Sequence, residues 1–186
     1  MIKTLYWPKK VSQPFGIQSE YSWSEIGAIY KIIGDYRVGL FIETGVNQGD
    51  LAAWMLAKSF FIPEFHYAGI TCDLNILDNK LEDLMKYAEQ SFIATGRCCS
   101  DAILARVRKT VRNSIHPVMV FCDGQDVERE FISYFGVLRP GDVIASYKFP
   151  AGFRLDVFTK FESYEKIKRI NGDFMKNTAI IAGVLI

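Results

Sequence analysis

The sequence predicts an α/β protein with a doubly wound, mostly parallel sheet of about six or seven strands, closed by an antiparallel C-terminal strand. Three observations predict it. Short apolar runs alternate strictly with helical patterns, which generates βαβ units and a sheet covered on both faces. Three of the first four apolar runs end at an acidic residue, Glu43, Asp73 and Asp123. The 186 residues, 49% hydrophobic and 23% charged, suit one folded domain with a substantial core and exclude disorder.

The elements follow in order. Residues 1–21 form an irregular N-terminal arm carrying Pro8, Pro14 and Gly16, and residues 22–186 form the single domain. Ser22-Trp-Ser-Glu25 has capping-box spacing and opens a helix that runs to about Ile33, before Gly34. Val38–Ile42 is the first strand, Asp50–Ser59 a helix, His66–Cys72 the second strand and Leu77–Ala88 a helix. Ser91–Thr95 is the third strand, Asp101–Arg112 a helix, Pro117–Cys122 the fourth strand and Val127–Phe135 a helix. Asp142–Ser146 is a fifth strand after the turn Arg139-Pro-Gly141. Glu162–Ile170 reads as a helix and Thr178–Ile186 as the closing strand, with Arg154–Lys160 open between strand and loop.

Composition narrows the function. Net charge is +1, and the basic groups Arg106–Lys109 and Lys166–Arg169 fall where helices are expected, as solvated faces; a nucleic-acid partner is not expected. No apolar run is long enough to span a bilayer and the N-terminus lacks a signal-peptide pattern, so no membrane partner and a cytoplasmic location are expected. Cys72, Cys98, Cys99 and Cys122 include no CxxC pair, and with His66 and His116 the only histidines, a zinc site is not expected. Cys72 and Cys122 read as reduced, buried strand-end residues. The early aromatics Tyr6, Trp7, Phe15, Tyr21 and Trp23 read as an arm packing on the core or on a neighbouring subunit of a homo-oligomer, with a lid over a pocket as the alternative.

In an open α/β sheet, ligands bind beyond the carboxyl ends of the strands, where strand order reverses. That rule selects Glu43 and Gly45 after the first strand, Asp73 after the second, Ser100 and Asp101 after the third and Asp123 after the fourth. Gly45 and Gly49 allow a tight turn and a close approach. Asp73 lies where a second-strand carboxylate meets ribose hydroxyls. Ser100-Asp101 opens a helix, so an N-cap competes with ligand binding there. His66 and His116 stand at strand starts, the wrong end for such a site.

Glu43-x-Gly45-x-x-x-Gly49 is not the dinucleotide fingerprint, because Asn47 stands where its second glycine belongs. It resembles motif I of the class I S-adenosylmethionine-dependent methyltransferases, which have a Rossmann-like fold. Cys122-Asp-Gly-Gln-Asp126, Glu128-Arg-Glu-Phe131 and Leu138-Arg-Pro-Gly-Asp142-Val-Ile144 extend the resemblance to one branch, the cephalosporin-hydroxylase-like and small-molecule O-methyltransferases. The similarity spans residues 22–148. It implies that Glu43, Thr44, Gly45, Asn47 and Gly49 cradle the methionine part of S-adenosylmethionine. It also implies that Asp73 holds the ribose, that Ser100 and Asp101 flank the adenine, and that Asp123 lies at the methyl-transfer site. In that branch a divalent metal is often held by the fourth-strand Asp and by another Asp ending the fifth strand.

Here the sequence departs from the branch. The fifth strand continues Ser146-Tyr147-Lys148, and Asp126 replaces the histidine of the fourth-strand motif. An ammonium repels a metal cation, so no metal is expected; Lys148 pairing with Asp123 as a fixed positive charge is the alternative. Asp123 and Lys148 are the catalytic candidates, with Asp126 and Tyr147 weaker ones. The expected activity is O-methylation of a small hydroxylated molecule, a sugar or natural product. The competing readings are a protein of the same fold without catalysis and a nucleic-acid methyltransferase, for which no Asn/Asp-Pro-Pro-Tyr/Phe segment exists.

Overall fold

The central strands are apolar at successive positions up to their polar carboxyl ends, which is the pattern of strands buried on both faces. In the computed structural model, which describes residues 16–186 apart from 18, 89 and 177, these strands form one seven-stranded sheet. Tyr6, Trp7, Pro8, Pro14 and Phe15 of the expected arm lie outside the described residues. The strands are β1 (Leu40–Thr44), β2 (His66–Thr71), β3 (Phe92–Thr95), β4 (Val118–Cys122), β5 (Val143–Ser146), β6 (Ile167–Arg169) and β7 (Ile181–Leu185). The helices are α1 (Trp23–Asp35), α2 (Asp50–Phe61), α3 (Asn79–Met85), α4 (Asp101–Asn113), α5 (Val127–Phe135) and α6 (Leu155–Ser163). The sheet order is β3-β2-β1-β4-β5-β7-β6. Neighbours pair in parallel from β3 to β5, and β7 runs antiparallel to both β5 and β6.

The alternation of side chains divides the core in two. Phe41, Tyr67, Met119, Phe121, Val143 and Ala145 face α1 and α2, while Leu40, Ile42, Ile70, Val118, Val120 and Ile144 face α4, α5 and α6. α1 presents Ile26, Ile29, Ile32 and Ile33 to the first layer. Its start is the expected capping box: Ser22 Oγ accepts from Glu25 N, and Glu25 Oε2 accepts from Ser22 N at 2.7 Å. α4 presents Ile103, Val107 and Val111, four residues apart, and leaves Arg106, Arg108, Lys109 and Arg112 in water as a solvated face.

Four expectations need correction. The helix expected over Glu162–Ile170 lies earlier, at Leu155–Ser163, because Phe158 and Phe161 each pack their rings 5.7 Å from Phe131 of α5. Ile167–Arg169 instead pairs with β7, so the basic group Lys166–Arg169 falls on a strand. The helix expected over Leu77–Ala88 shrinks to α3, preceded by a 3-10 turn at Leu74–Ile76, because Asp73 and Asp78 each cap the backbone two residues on. Cys72 is exposed rather than buried, since β2 ends one residue earlier; Cys122 is buried as expected.

The arm residues that are described pack inward. Ile17, Ser19 and Tyr21 are buried, and the Glu20 amide donates to Asp50 Oδ2 at 2.7 Å. Among the described residues, no helix is long and apolar enough to cross a membrane.

Candidate functional site

Strand order reverses between β1 and β4, the neighbours whose onward connections leave in opposite directions. At their carboxyl ends the two loops touch. Gly45 has φ +74°, and a Cβ there would stand 2.5 Å from Gly124 Cα and 2.7 Å from the Asp123 carbonyl oxygen. Only glycine satisfies both the left-handed backbone and the missing space. Gly49, at φ +94°, is the N-cap of α2 and supplies no side-chain cap. Asn47, exposed between them, also has positive φ, at 52°.

Beneath this loop lies a layer of buried carboxylates that sequence reasoning only partly found. Glu43 turns inward: it is 1% exposed and accepts a 2.6 Å hydrogen bond from the Tyr67 hydroxyl. Burial holds its carboxyl well above the usual range, against the lowering effect of that bond. Thr44 Oγ1 donates to Glu130 Oε2 at 2.6 Å, and Glu130 Oε2 also accepts from the Gly124 amide at 3.0 Å. Burial raises Glu130, and it raises Asp50 against the amide bonds from Glu20 and Leu51. Glu130 carried a signal in the sequence. It interrupts the buried stripe Val127, Phe131, Tyr134 of α5 at helical spacing, where a charged residue must find partners.

Asp123 is the focus. Its Oδ2 accepts a hydrogen bond from the Tyr21 hydroxyl, and its Oδ1 has Lys148 Nζ 3.1 Å away. The contact with Lys148 is ionic; Oδ1 is buried and has no aligned hydrogen bond among the described residues. Burial pushes the Asp123 carboxyl up to about 6, opposed by the Tyr21 bond and the Lys148 charge. Lys148 itself sits at φ +62°, with its carbonyl accepting from the Gly152 amide at 2.6 Å, so a tight turn aims it back at the sheet. The Tyr21 ring lies 4.8 Å from that of Tyr147 and 6.1 Å from that of Phe121. Sequence reasoning weighed Tyr21 as packing or lid; the structure buries it against the very carboxylate of the site.

The remaining candidates spread along the same edge. Asp73 is half-buried at the end of β2, with Oδ1 accepting from the amide and the side chain of Asn75, both at 2.9 Å. Ser100 is the N-cap of α4 through its backbone, without a side-chain cap bond, and Asp101 is exposed in the first turn. Across the sheet the order is therefore Ser100 and Asp101, Asp73, Gly45, Asp123, Lys148. Asp126 is not part of this set. Its side chain accepts from Arg129 N at 3.2 Å and caps α5. His66 and His116 line a groove of about 570 Å³ at the opposite, amino ends of the strands, away from the site.

The donors present can be tested against each implied group. A divalent cation needs several converging oxygen ligands. Both Asp123 oxygens are taken, one by a hydroxyl proton and one by an ammonium, and among the described residues no three His, Cys, Asp or Glu side chains could hold a metal. The donor set does not fit a cation. It does fit a nucleoside-linked amino acid: among the described residues Asp73 keeps one oxygen without a protein partner beyond the second strand, and a glycine turn leads into a start of α2 that has no side-chain cap.

No protein-family model matches the chain, and no curated protein matches its sequence. Solved structures share its fold. A CmcI structure with SAH is 15% identical, matching 96% of this chain and 84% of that one with a TM-score of 0.63. A CmcI structure with Mg and SAM is 15% identical, matching 91% and 75% with a TM-score of 0.69. The O-methyltransferase TomG from Streptomyces achromogenes, involved in tomaymycin synthesis and solved with SAM, is 14% identical, matching 86% and 79% with a TM-score of 0.56. The likeness is one of fold, at identities of 14–15%.

Proposed function

We propose that the chain is an S-adenosylmethionine-dependent methyltransferase acting on a small hydroxylated molecule. The observation that carries the reading is the alignment of Asp73, the Gly45–Gly49 turn and the Asp123–Lys148 pair along the carboxyl edge of one sheet, in that order, around the switch point. The structural neighbours solved with SAM or SAH support the same cofactor, and the natural-product context of TomG supports a sugar or natural product as acceptor.

In this reading Thr44, Gly45, Asn47 and Gly49 hold the methionine part, with Glu43 buried beneath them against the Tyr67 hydroxyl. Asp73 takes the ribose hydroxyls, and Ser100 and Asp101 border the adenine. The bound cofactor supplies a methyl group already activated by its sulfonium. What remains for the protein is alignment and proton removal. Asp123, titrating near about 6, is ionised at neutral pH and can accept the proton of an acceptor hydroxyl. Lys148 sits beside it and can hold the acceptor oxygen as charge develops.

Calorimetry with S-adenosylmethionine and S-adenosylhomocysteine tests the reading. Both are expected to bind, and Asp73→Ala to weaken each by about tenfold or more, the size of a lost hydrogen bond to a charged group. No heat and no thermal shift with either ligand, in wild type, removes the proposal. A second reading, binding without turnover, is favoured by the buried Tyr21 on Asp123. Release of S-adenosylhomocysteine on adding small hydroxylated acceptors separates the two.

A further inference from the structure

One buried carboxylate beside the switch point is occupied twice. Asp123 has an ammonium at one oxygen and a phenol at the other, and each partner is fixed by its own surroundings. Tyr21 is 1% exposed, wedged against Tyr147 and Phe121, and immediately precedes the capping box that anchors α1. Glu25 of that box also accepts from the Ala179 amide at 3.1 Å, which ties the start of α1 to the approach of β7. Lys148 is held by the left-handed turn that Gly152 closes. Glu43 and Asp50 lie nearby, and burial biases both toward their neutral forms.

We propose that Tyr21 and Lys148 together take the place of a divalent cation at Asp123, so that the site works without metal. The inference rests on reading this cleft as a methyl-transfer site. A cation would bind Asp123 and orient the acceptor oxygen through a shared coordination sphere. Here the Tyr21 hydroxyl fixes the carboxylate plane, and Lys148 supplies the positive charge. An ammonium has three donors. One faces Asp123, and the Lys148 side chain is 46% exposed, which leaves donors available to an acceptor oxygen. Tyr21 is then a positioning residue, acting through Asp123, with the ring of Tyr147 packed beside it.

The test is gain of a metal site. Manganese binding is measured by electron paramagnetic resonance on the full chain, with S-adenosylhomocysteine present and absent. Wild type is expected to bind no manganese at about 1 mM, the weak end of protein sites for hard divalent cations. The double variant Tyr21→Phe, Lys148→Asp frees both Asp123 oxygens and replaces the ammonium-bearing side chain with a carboxylate at position 148. It is expected to bind one manganese ion, and Asp123→Asn in that background to abolish it. Aspartate tolerates the left-handed backbone of position 148, so folding should survive, as circular dichroism and Tm will report. Stoichiometric manganese on wild type that Asp123→Asn removes would overturn the proposal. So would a folded double variant that binds none. If the double variant does not fold, Lys148→Asp alone is read by the same criterion. Absence of S-adenosylhomocysteine binding would instead strike the methyltransferase reading and leave the manganese result to decide the role of Tyr21 and Lys148.

Discussion

Two aspartates, Asp142 at the amino ends of the strands and Asp123 at the carboxyl ends, are both largely withdrawn from water and differ in how they are satisfied. Asp142, 2% exposed, accepts from the Val118 amide at 2.9 Å, the Arg139 amide at 2.8 Å and two guanidinium nitrogens of Arg139, each at 3.1 Å. Arg139 in turn donates to the carbonyls of Ser114 and His116. Every lone pair has a donor, and the motif Arg139-Pro-Gly-Asp142 is thereby a clamp that joins β5 to the start of β4. Asp123 has two partners, one of them half in water, and an oxygen without an aligned donor. A fully satisfied buried carboxylate stabilises the fold; an incompletely satisfied one stores the capacity to take a proton or a ligand.

Substitutions can break or sharpen this contrast. The largest effect is expected from Asp142→Ala, which strips four hydrogen bonds and leaves the guanidinium without its partner. A loss of about 3–5 kcal/mol in urea denaturation follows, as for other broken buried pairs. A loss below about 1 kcal/mol would mean that the clamp contributes little.

Asp123 should behave oppositely, and its pH dependence gives the sign. Its folded value of about 6 lies above the ordinary 3.8, so the folded protein holds this proton more tightly than the unfolded chain. Its contribution is therefore favourable below the unfolded value and is lost as pH rises through about 6. Wild type should lose on the order of 2 kcal/mol from this group between about pH 4 and pH 7. Asp123→Asn, which cannot ionise, should lack that component and match or exceed wild type at neutral pH. A variant clearly less stable than wild type at pH 7 would place Asp123 with Asp142 as a structural group.

In methyl transfer the same Asp123→Asn change is expected to lower kcat about 100-fold, the contribution of a positioned base. The smallest effect belongs to Lys148→Met. The ammonium is 46% exposed, so solvent screens it, and stability should change by less than about 1 kcal/mol. The Asp123 titration should move upward, because the neighbouring charge that lowers it is gone. An unmoved titration midpoint would separate the two side chains.

Much of the fold is legible in the sequence because the signals are local. Ser22 and Glu25 mark the start of α1, the stripe Ile103, Val107, Val111 defines α4, and the doubly apolar runs give the central strands. The C-terminal region is less legible. The choice between helix and strand over Glu162–Ile170 turned on contacts with Phe131 and with β7, both remote in sequence.

The candidate site divides the same way. Counting strand ends along the chain selected Glu43, Gly45, Asp73, Ser100, Asp101 and Asp123, and the family resemblance added Thr44, Asn47, Gly49 and Lys148. Sequence alone could not show that Glu43 turns inward to Tyr67 or that Glu130 receives Thr44, since those bonds cross layers. Least of all could it bring Tyr21 to Asp123, which lies 102 positions later. Local pattern determines which segments form strands and helices and which residues end them. Only the packing of those segments decides which side chains meet, because direction and burial depend on partners that no short stretch of sequence contains.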